Sequence, residues 1–198
     1  MAETKTWEVV RKEISDYARL RIGRDDVVLD VGAHVGLFSE RAVRRGARRV
    51  IAVEPDPRSY RELCWRCKPL GVVTSRRAVA AESGSVSLWL HERSNLSSTV
   101  RHRGRREMTV SAVGLMMLLS AWRPSVVKID IEGAEHQLDV SHVLPPYVHD
   151  LAIEWHVSSH AERASSAEHH AHLQVRGWRA LNHPRFDQGW PRVVIYQR

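Results

Sequence analysis

Cysteine is scarce in this chain: two residues in 198, Cys64 and Cys67, spaced as CxxC. A zinc ribbon needs a second such pair, and its absence excludes that site. A thioredoxin-like redox motif stays open, but "RELCWRCKPL" reads as the end of a helix away from the other motifs. The expectation is therefore two reduced thiols on a helix. No apolar run approaches the roughly 20 residues that span a bilayer, so no membrane partner is expected. The N-terminus, "MAETKTWEVVRKE", lacks the apolar core of a signal peptide, which makes the cytoplasm the expected compartment. There is no internal repeat and no long linker. A length of 198 residues suffices for one domain with a sizeable core, so a single domain over 1–198 is expected.

Acidic residues are also short. Asp and Glu number 23 against 30 Lys and Arg, for a formal charge of +7, with clusters at "RRGARR" and "RHRGRR". Such an excess serves nucleic acid or an acidic substrate, or it is a solvated arginine-rich surface. The tryptophans are scattered rather than interleaved with the basic clusters, so they do not form a stacking platform for bases. The solvated surface is the preferred reading.

Along the chain, apolar runs alternate with amphipathic ones. Trp7, Val10, Ile14 and Tyr17 recur at helical spacing, which predicts an N-terminal helix within 1–22. "VVLDVG" predicts a buried strand and a turn, and "LFSERAVRRG" a helix closed by Gly46. "RVIAVEP" is a strand stopped by Pro55. "DPRSYRELCWRCK" is a helix with Asp56 to cap it and Pro57 at its first position. "VVTSRRAVA" and "GSVSLWLHE" read as strands, "RSNLSSTVRHRGRRE" as a polar, basic loop and "SAVGLMMLLSAW" as a helix. "SVVKIDIE" is a strand, "GAEHQLDVS" is short and helical, and "DLAIEWH" is a strand before a helix to about residue 176. "WRALNH" and "RVVIYQR" close as an antiparallel pair. This alternation predicts an α/β fold, a mostly parallel sheet with helices on both faces. Such sheets bind ligands at the carboxyl ends of their strands, where strand order reverses.

The first strand exits through "DVGAHVG", with Asp30, Gly32, Ala33, His34 and Gly36; the second exits through Glu54 and Pro55. Glu54 lies 22 positions beyond Gly32. An acid about 20 positions after a glycine loop can accept both hydroxyls of a ribose. The middle glycine of the dinucleotide fingerprint, which admits a pyrophosphate, is replaced here by His34. A cofactor with a ribose and no pyrophosphate fits better, and S-adenosylmethionine is the common one. A tight turn with no ligand is the alternative.

"DVGAHVGLFS", "AVEPDP" and above all "VKIDIEGAE" resemble the FkbM family of methyltransferases, as do the loop "SNLSST" and "EWH". The resemblance runs from about residue 26 to 156. It implies a Rossmann-like, seven-stranded class I methyltransferase fold, mostly parallel with an antiparallel C-terminal strand. It further implies S-adenosylmethionine as donor and, usually, an oxygen acceptor. The chain is short for that family, and the N-terminal helix within 1–22 is the only segment available as a lid.

Within that frame the central strand carries "VVKIDIEGAE". A strand has period two, so Lys128, Asp130 and Glu132 are expected on one face, with Glu154 and His156 on one face of the next strand. Asp130, Glu132, Glu154 and His156 are the candidate catalytic residues. Asp30, Gly32, Ala33, His34, Gly36, Glu54, Pro55 and Asp130 are the candidate cofactor-binding residues. Lys128 reads as a structural partner for Asp130 or Glu154, because a buried charge is costly unless paired. O-methylation of a small molecule, a sugar or a natural product, requires alignment and removal of the hydroxyl proton. His156 is the candidate base, its ordinary pKa being near neutrality. A divalent metal held by Asp130, Glu132, Glu154 and His156 is the rival reading, and no metal is assigned. The histidine-rich stretch "HVSSHAERASSAEHHAH" has no HExxH and is read as a solvated helix face.

Two other classes stay in view. A nucleic-acid methyltransferase, acting on RNA for instance, is favoured only by the basic loop 101–106. The Asn/Asp-Pro-Pro-Tyr/Phe motif of base methylation is missing, "DIEG" standing in its place and "LPPY" falling one element late. A non-catalytic module that binds S-adenosylmethionine is the second, and the intact set of Asp30, Gly32, Gly36, Glu54 and Asp130 weighs against it.

Overall fold

A computed structural model describes residues 17–92, 97–101, 105–182 and 192–198. The expected N-terminal helix lies mostly outside these residues; of it, only the turn at 17–20 is described.

The main sheet has seven strands in the order β3-β2-β1-β7-β8-β10-β9. They are β1 (Val27–Val31), β2 (Arg49–Val53), β3 (Val73–Ser75), β7 (Val126–Ile129), β8 (Asp150–Trp155), β9 (Arg179–Ala180) and β10 (Arg192–Gln197). The first five pair in parallel, and β10 runs antiparallel to both β8 and β9. All five residues of β1, all four of β7 and all six of β8 are buried. This is why they read as near-continuous apolar runs: helices cover both faces of a parallel sheet. Alternate residues feed two cores. Leu29, Val31, Ile51, Val53, Ile129 and Ile153 pack on one face, and Val28, Val50, Ala52, Val126 and Ala152 on the other.

The covering helices follow local chemistry. They are α1 (Leu37–Arg44), α2 (Pro57–Cys67), α3 (Leu115–Trp122), α4 (Val140–Val143) and α5 (His160–Val175). The Asp56 side chain caps α2 by accepting from the Arg58 backbone N–H, with Pro57 at the first position as expected. A reciprocal capping box between Ser159 and Glu162 starts α5. Among the described residues, no helix is long and apolar enough to cross a membrane.

Two sequence expectations change. Residues 106–114 form a nine-residue strand, β6, where the sequence reading had a loop running into a helix. β6 pairs antiparallel with β5 (Gly84–Leu90) and parallel with β4 (Ala78–Ala80), making a separate three-stranded sheet. Thr109, Val110 and Val113 suit a pleated strand, and the cross-strand pairing with β5 overrides the helical reading of "SAVG". That helix starts only at Leu115. "VVTSRRAVA" likewise splits, β3 joining the main sheet and β4 the small one. "GAEHQLDVS" is a 3-10 turn over Ala134–Gln137 followed by the start of α4.

The strand order reverses between β1 and β7, which therefore border the ligand crevice. Their exits touch. A Cβ added to Gly32, at φ 76°, would sit 1.7 Å from the Asp130 carbonyl oxygen. Gly71, at φ 80°, has nothing within 4 Å. Gly32→Ala is therefore expected to cost at least about 3 kcal/mol in urea unfolding, the sum of left-handed strain and overpacking. Gly71→Ala should cost only the strain, about 1–2 kcal/mol. Equal losses in the two variants would contradict the contact.

Candidate active site

The chain leaving β1 folds over the end of β2. The Gly32 and Ala33 backbone N–H groups both donate to the Val53 carbonyl at 3.0 Å. His34 is left-handed at φ 50°. The sequence reading gave the two glycines to ligand approach; the structure gives both a packing reason. Gly32 admits the Asp130 carbonyl. Gly36 lets α1 meet α2, since a Cβ there would lie 2.6 Å from Cys67 Sγ and 2.7 Å from Leu63 Cδ1.

Glu54 stands at the centre of this turn and is buried. Its Oε2 accepts from the His34 N–H and its Oε1 from the Asp56 N–H, both at 2.8 Å. Burial raises its pKa to about 7, against the opposing pull of those two hydrogen bonds. Each carboxylate oxygen keeps a second lone pair for an outside donor. Pro55 ends the strand beside it. Burial and the Lys128 charge lower the His34 pKa to about 4, so its imidazole is neutral near pH 7. Asp56, which the sequence reading used only as a cap, also accepts from Ser97 Oγ at 2.8 Å and from the Arg58 guanidinium.

Behind the cradle lies Lys128, 1% exposed. Its Nζ donates to the Gly32 carbonyl at 2.8 Å and pairs with Asp30 Oδ1 at 3.2 Å and Asp130 Oδ2 at 3.5 Å. The expected structural role holds for Asp130, and Asp30 is a partner the sequence did not single out. Asp30 is 0% exposed and its other oxygen accepts from Ser39 Oγ at 2.7 Å. Its carboxylate is thus engaged within the protein, supporting the turn from behind. Ala33, 2% exposed, likewise contributes backbone geometry.

On the other side of Asp130 the candidate catalytic residues meet, though not by the expected periodicity. β7 ends at Ile129, and Glu132 is left-handed at φ 57°. The turn, not a shared strand face, brings the Glu132 carboxylate to the site. Its carbonyl accepts from Ser98 Oγ at 2.6 Å, so the described part of the "SNLSST" loop lies against it. One ligand-type atom each from Asp130, Glu132 and His156 falls within 4.8 Å of the others. Glu154 joins through Tyr17, whose hydroxyl lies 3.2 Å from Asp130 Oδ2 and 3.4 Å from Glu154 Oε2.

Two members of the site escaped the sequence reading. Tyr17 looked like one apolar position of a helix; it is 2% exposed and packs edge-on against Phe38. Glu135 is the last residue of "KIDIEGAE", three positions after Glu132, and that spacing was its only signal. It is fully buried, and its Oε1 accepts from the His156 backbone N–H at 2.6 Å and lies 3.1 Å from His156 Nδ1. His156 Nε2 lies 3.4 Å from Glu132 Oε2. Burial alone would lower the His156 pKa, but hydrogen bonds to Glu132 and Glu135 and their charges raise it to about 11. These pairings favour the protonated imidazole at neutral pH and weigh against its expected role as a free base.

A cleft of about 310 Å³ lies between the small sheet and the turn after β7, lined among others by Val79, Trp89, Thr99, Ala134, Gln137 and Leu138; none of the candidate catalytic or cofactor residues is among its lining residues. Both cysteines are free, and burial pushes the Cys67 thiol up to about 12, so it is inert. The histidines of α5 are partly structural: His169 stacks on Trp155 and His170 lies 3.1 Å from the Tyr196 hydroxyl.

A sequence profile described as the methyltransferase FkbM domain matches residues 30–138. No curated protein matches the chain. Among solved structures, an FkbM methyltransferase from Methylobacillus flagellatus KT is 16% identical with a TM-score of 0.58, over 96% of this chain and 48% of that one. This chain thus spans about half the length of that relative. A fibrillarin from Aeropyrum pernix, solved with natively bound S-adenosyl-L-methionine, is 10% identical with a TM-score of 0.53, over 96% and 74% of the two chains. The B. subtilis tRNA methyltransferase TrmK is 12% identical with a TM-score of 0.50, over 94% and 65%. At such identities the likeness is one of fold, and the fold is the expected seven-stranded class I methyltransferase.

The His156 pairing has a pH signature. A folded-state pKa above the unfolded value of about 6.5 gives stability that is full below pH 6.5 and is lost as pH rises toward 11. Thermal unfolding of wild type and His156→Gln is expected to differ most near pH 6, with the gap narrowing steadily to pH 10. A gap that is constant with pH would contradict the charged pairing.

Proposed function

The chain belongs to the FkbM methyltransferase family, and from that premise we propose that it methylates a hydroxyl oxygen of a small molecule, a sugar or a natural product, with S-adenosylmethionine as donor. The carrying observation is adjacency. Lys128 joins the Glu54 cradle to the Asp130, Glu154 and Tyr17 cluster through contacts of 2.8–3.5 Å.

The cradle fits the donor. Glu54 offers two buried carboxylate oxygens, each with a lone pair left for a ribose hydroxyl. His34 adds a neutral imidazole beside them, Gly32 and Gly36 hold the turn, and Pro55 fixes where the strand stops. Bound S-adenosylmethionine supplies a methyl group activated on a sulfonium. Asp130, tied to both halves of the site, orients what lies between them. Asp130 Oδ2 and Glu154 Oε2, which share the Tyr17 hydroxyl, are the oxygens placed to take the proton from the acceptor hydroxyl. His156, as a cation, holds Glu132 in the site.

The hydroxyl acceptor follows from the family membership. The cleft of about 310 Å³ is at the low end of small-molecule sites, which run to roughly 1,000 Å³, but the candidate catalytic residues do not line it. An RNA acceptor is the second reading. It is favoured by the exposed Arg101 and Arg106, which flank the basic stretch between the Glu132-binding loop and β6.

Incubation with isotopically labelled S-adenosylmethionine, a small-molecule extract and total RNA separates these readings. Label is expected in the small-molecule fraction, in alkali-stable ether linkages. Label confined to RNA would overturn the small-molecule reading in favour of the second, and none in either would remove both.

A further inference from the structure

We propose that Asp130, Glu132 and His156 form a binding site for one hard divalent cation of the Mg2+ or Mn2+ class. The three side chains come from the exits of the adjacent strands β7 and β8, and one ligand atom from each lies within 4.8 Å of the others. His156 Nε2 and Glu132 Oε2 are 3.4 Å apart. Neighbouring ligands around a Mg2+ or Mn2+ ion at about 2.1 Å sit about 3 Å apart, so contraction by a few tenths of an ångström for the closest pair, and by up to about 1.8 Å for the widest, would close the shell. Two carboxylate oxygens with one imidazole nitrogen, and no thiolate, suit that class of ion.

The surrounding residues are arranged as a metal-bound histidine requires. Such a histidine presents one ring nitrogen to the ion while a carboxylate outside the ligand set holds the other. Glu135 is that carboxylate. It is fully buried, lies 3.1 Å from His156 Nδ1, and also accepts from the His156 and Gly133 backbone N–H groups at 2.6 and 2.9 Å. Nε2 is thereby fixed toward Glu132; in the ion-free site it carries a proton, and a bound cation displaces that proton and takes its lone pair. Glu132 in turn adopts a left-handed backbone at φ 57°, uncommon for a non-glycine residue, with its carbonyl held by Ser98 Oγ. Both strain and support serve to place this one carboxylate against His156.

Three protein ligands leave further positions of an octahedral shell to oxygens from outside the chain. Under the O-methylation reading, one of these positions takes the acceptor hydroxyl and lowers its pKa, so that its proton passes to a carboxylate at neutral pH. That use rests on the proposed function; the site itself does not.

The test is titration of chelator-treated protein with Mn2+ alone, followed by the loss of the free-ion EPR signal. Calorimetry with S-adenosylmethionine is run on the same preparations. One Mn2+ per wild-type chain is expected, competed by Mg2+. Glu132→Gln is isosteric and its side chain is 24% exposed, so it should fold. It and His156→Gln should each weaken Mn2+ at least tenfold, and Glu135→Gln by about 10–100-fold, with S-adenosylmethionine binding kept. No Mn2+ uptake by wild type, or equal uptake by Glu132→Gln, would overturn the proposal and leave an ion pair between His156 and its carboxylates. Mn2+ uptake without S-adenosylmethionine binding would support the site and overturn the donor assignment instead.

Discussion

The ammonium group of Lys128 holds this site together. It lies in the sheet interior, where an unpaired charge would cost several kcal/mol. Among its oxygen partners are the carboxylate of Asp30 on β1, the carbonyl of Gly32 just past β1, and the carboxylate of Asp130 just past β7. These are the two strands between which the chain reverses direction across the sheet. The same ion cluster therefore neutralises buried charge, joins the switch point and couples the turn around Glu54 to the Asp130 cluster. The register Asp30↔Lys128 makes the pairing direct. It also explains why an apolar strand tolerates a lysine at its centre.

Beyond Asp130 the geometry depends on turns rather than strands. Glu132 reaches His156 because its backbone is left-handed, and His156 is immobilised because Glu135 is buried behind it. This changes the chemistry expected of the histidine. Between two carboxylates the protonated imidazole is favoured, and under the proposed function the proton acceptors are the carboxylates of Asp130 and Glu154, gathered around the Tyr17 hydroxyl. Tyr17 also packs into the core on the α1 side of the sheet, so the segment leading into β1 is part of the site wall.

The parallel sheet was legible in the sequence because buried strands such as "VVLDV" and "RVIAV" are continuous apolar runs between glycine and proline stops. That Glu54 would meet the turn after β1 was legible because an acid at fixed spacing after Gly32 falls at the end of the neighbouring strand. Other features depend on contacts that no local pattern encodes. β6 became a strand through its partner β5. Asp30 turned inward because Lys128 and Ser39 claim both its oxygens. Tyr17 looked like an ordinary apolar helix position, and only tertiary packing aims its hydroxyl at two carboxylates. Glu132 shared a face with Lys128 on paper, but the strand stopped at Ile129 before that period could apply.

Isothermal titration of S-adenosylmethionine into wild-type protein and Glu54→Ala tests the cradle most directly. Loss of hydrogen bonding to a charged group should weaken binding by at least about 1.5–3 kcal/mol, roughly 10- to 150-fold, while the variant keeps a cooperative unfolding transition. An affinity equal to that of wild type would place the donor elsewhere and contradict the assignment of Glu54 to the ribose.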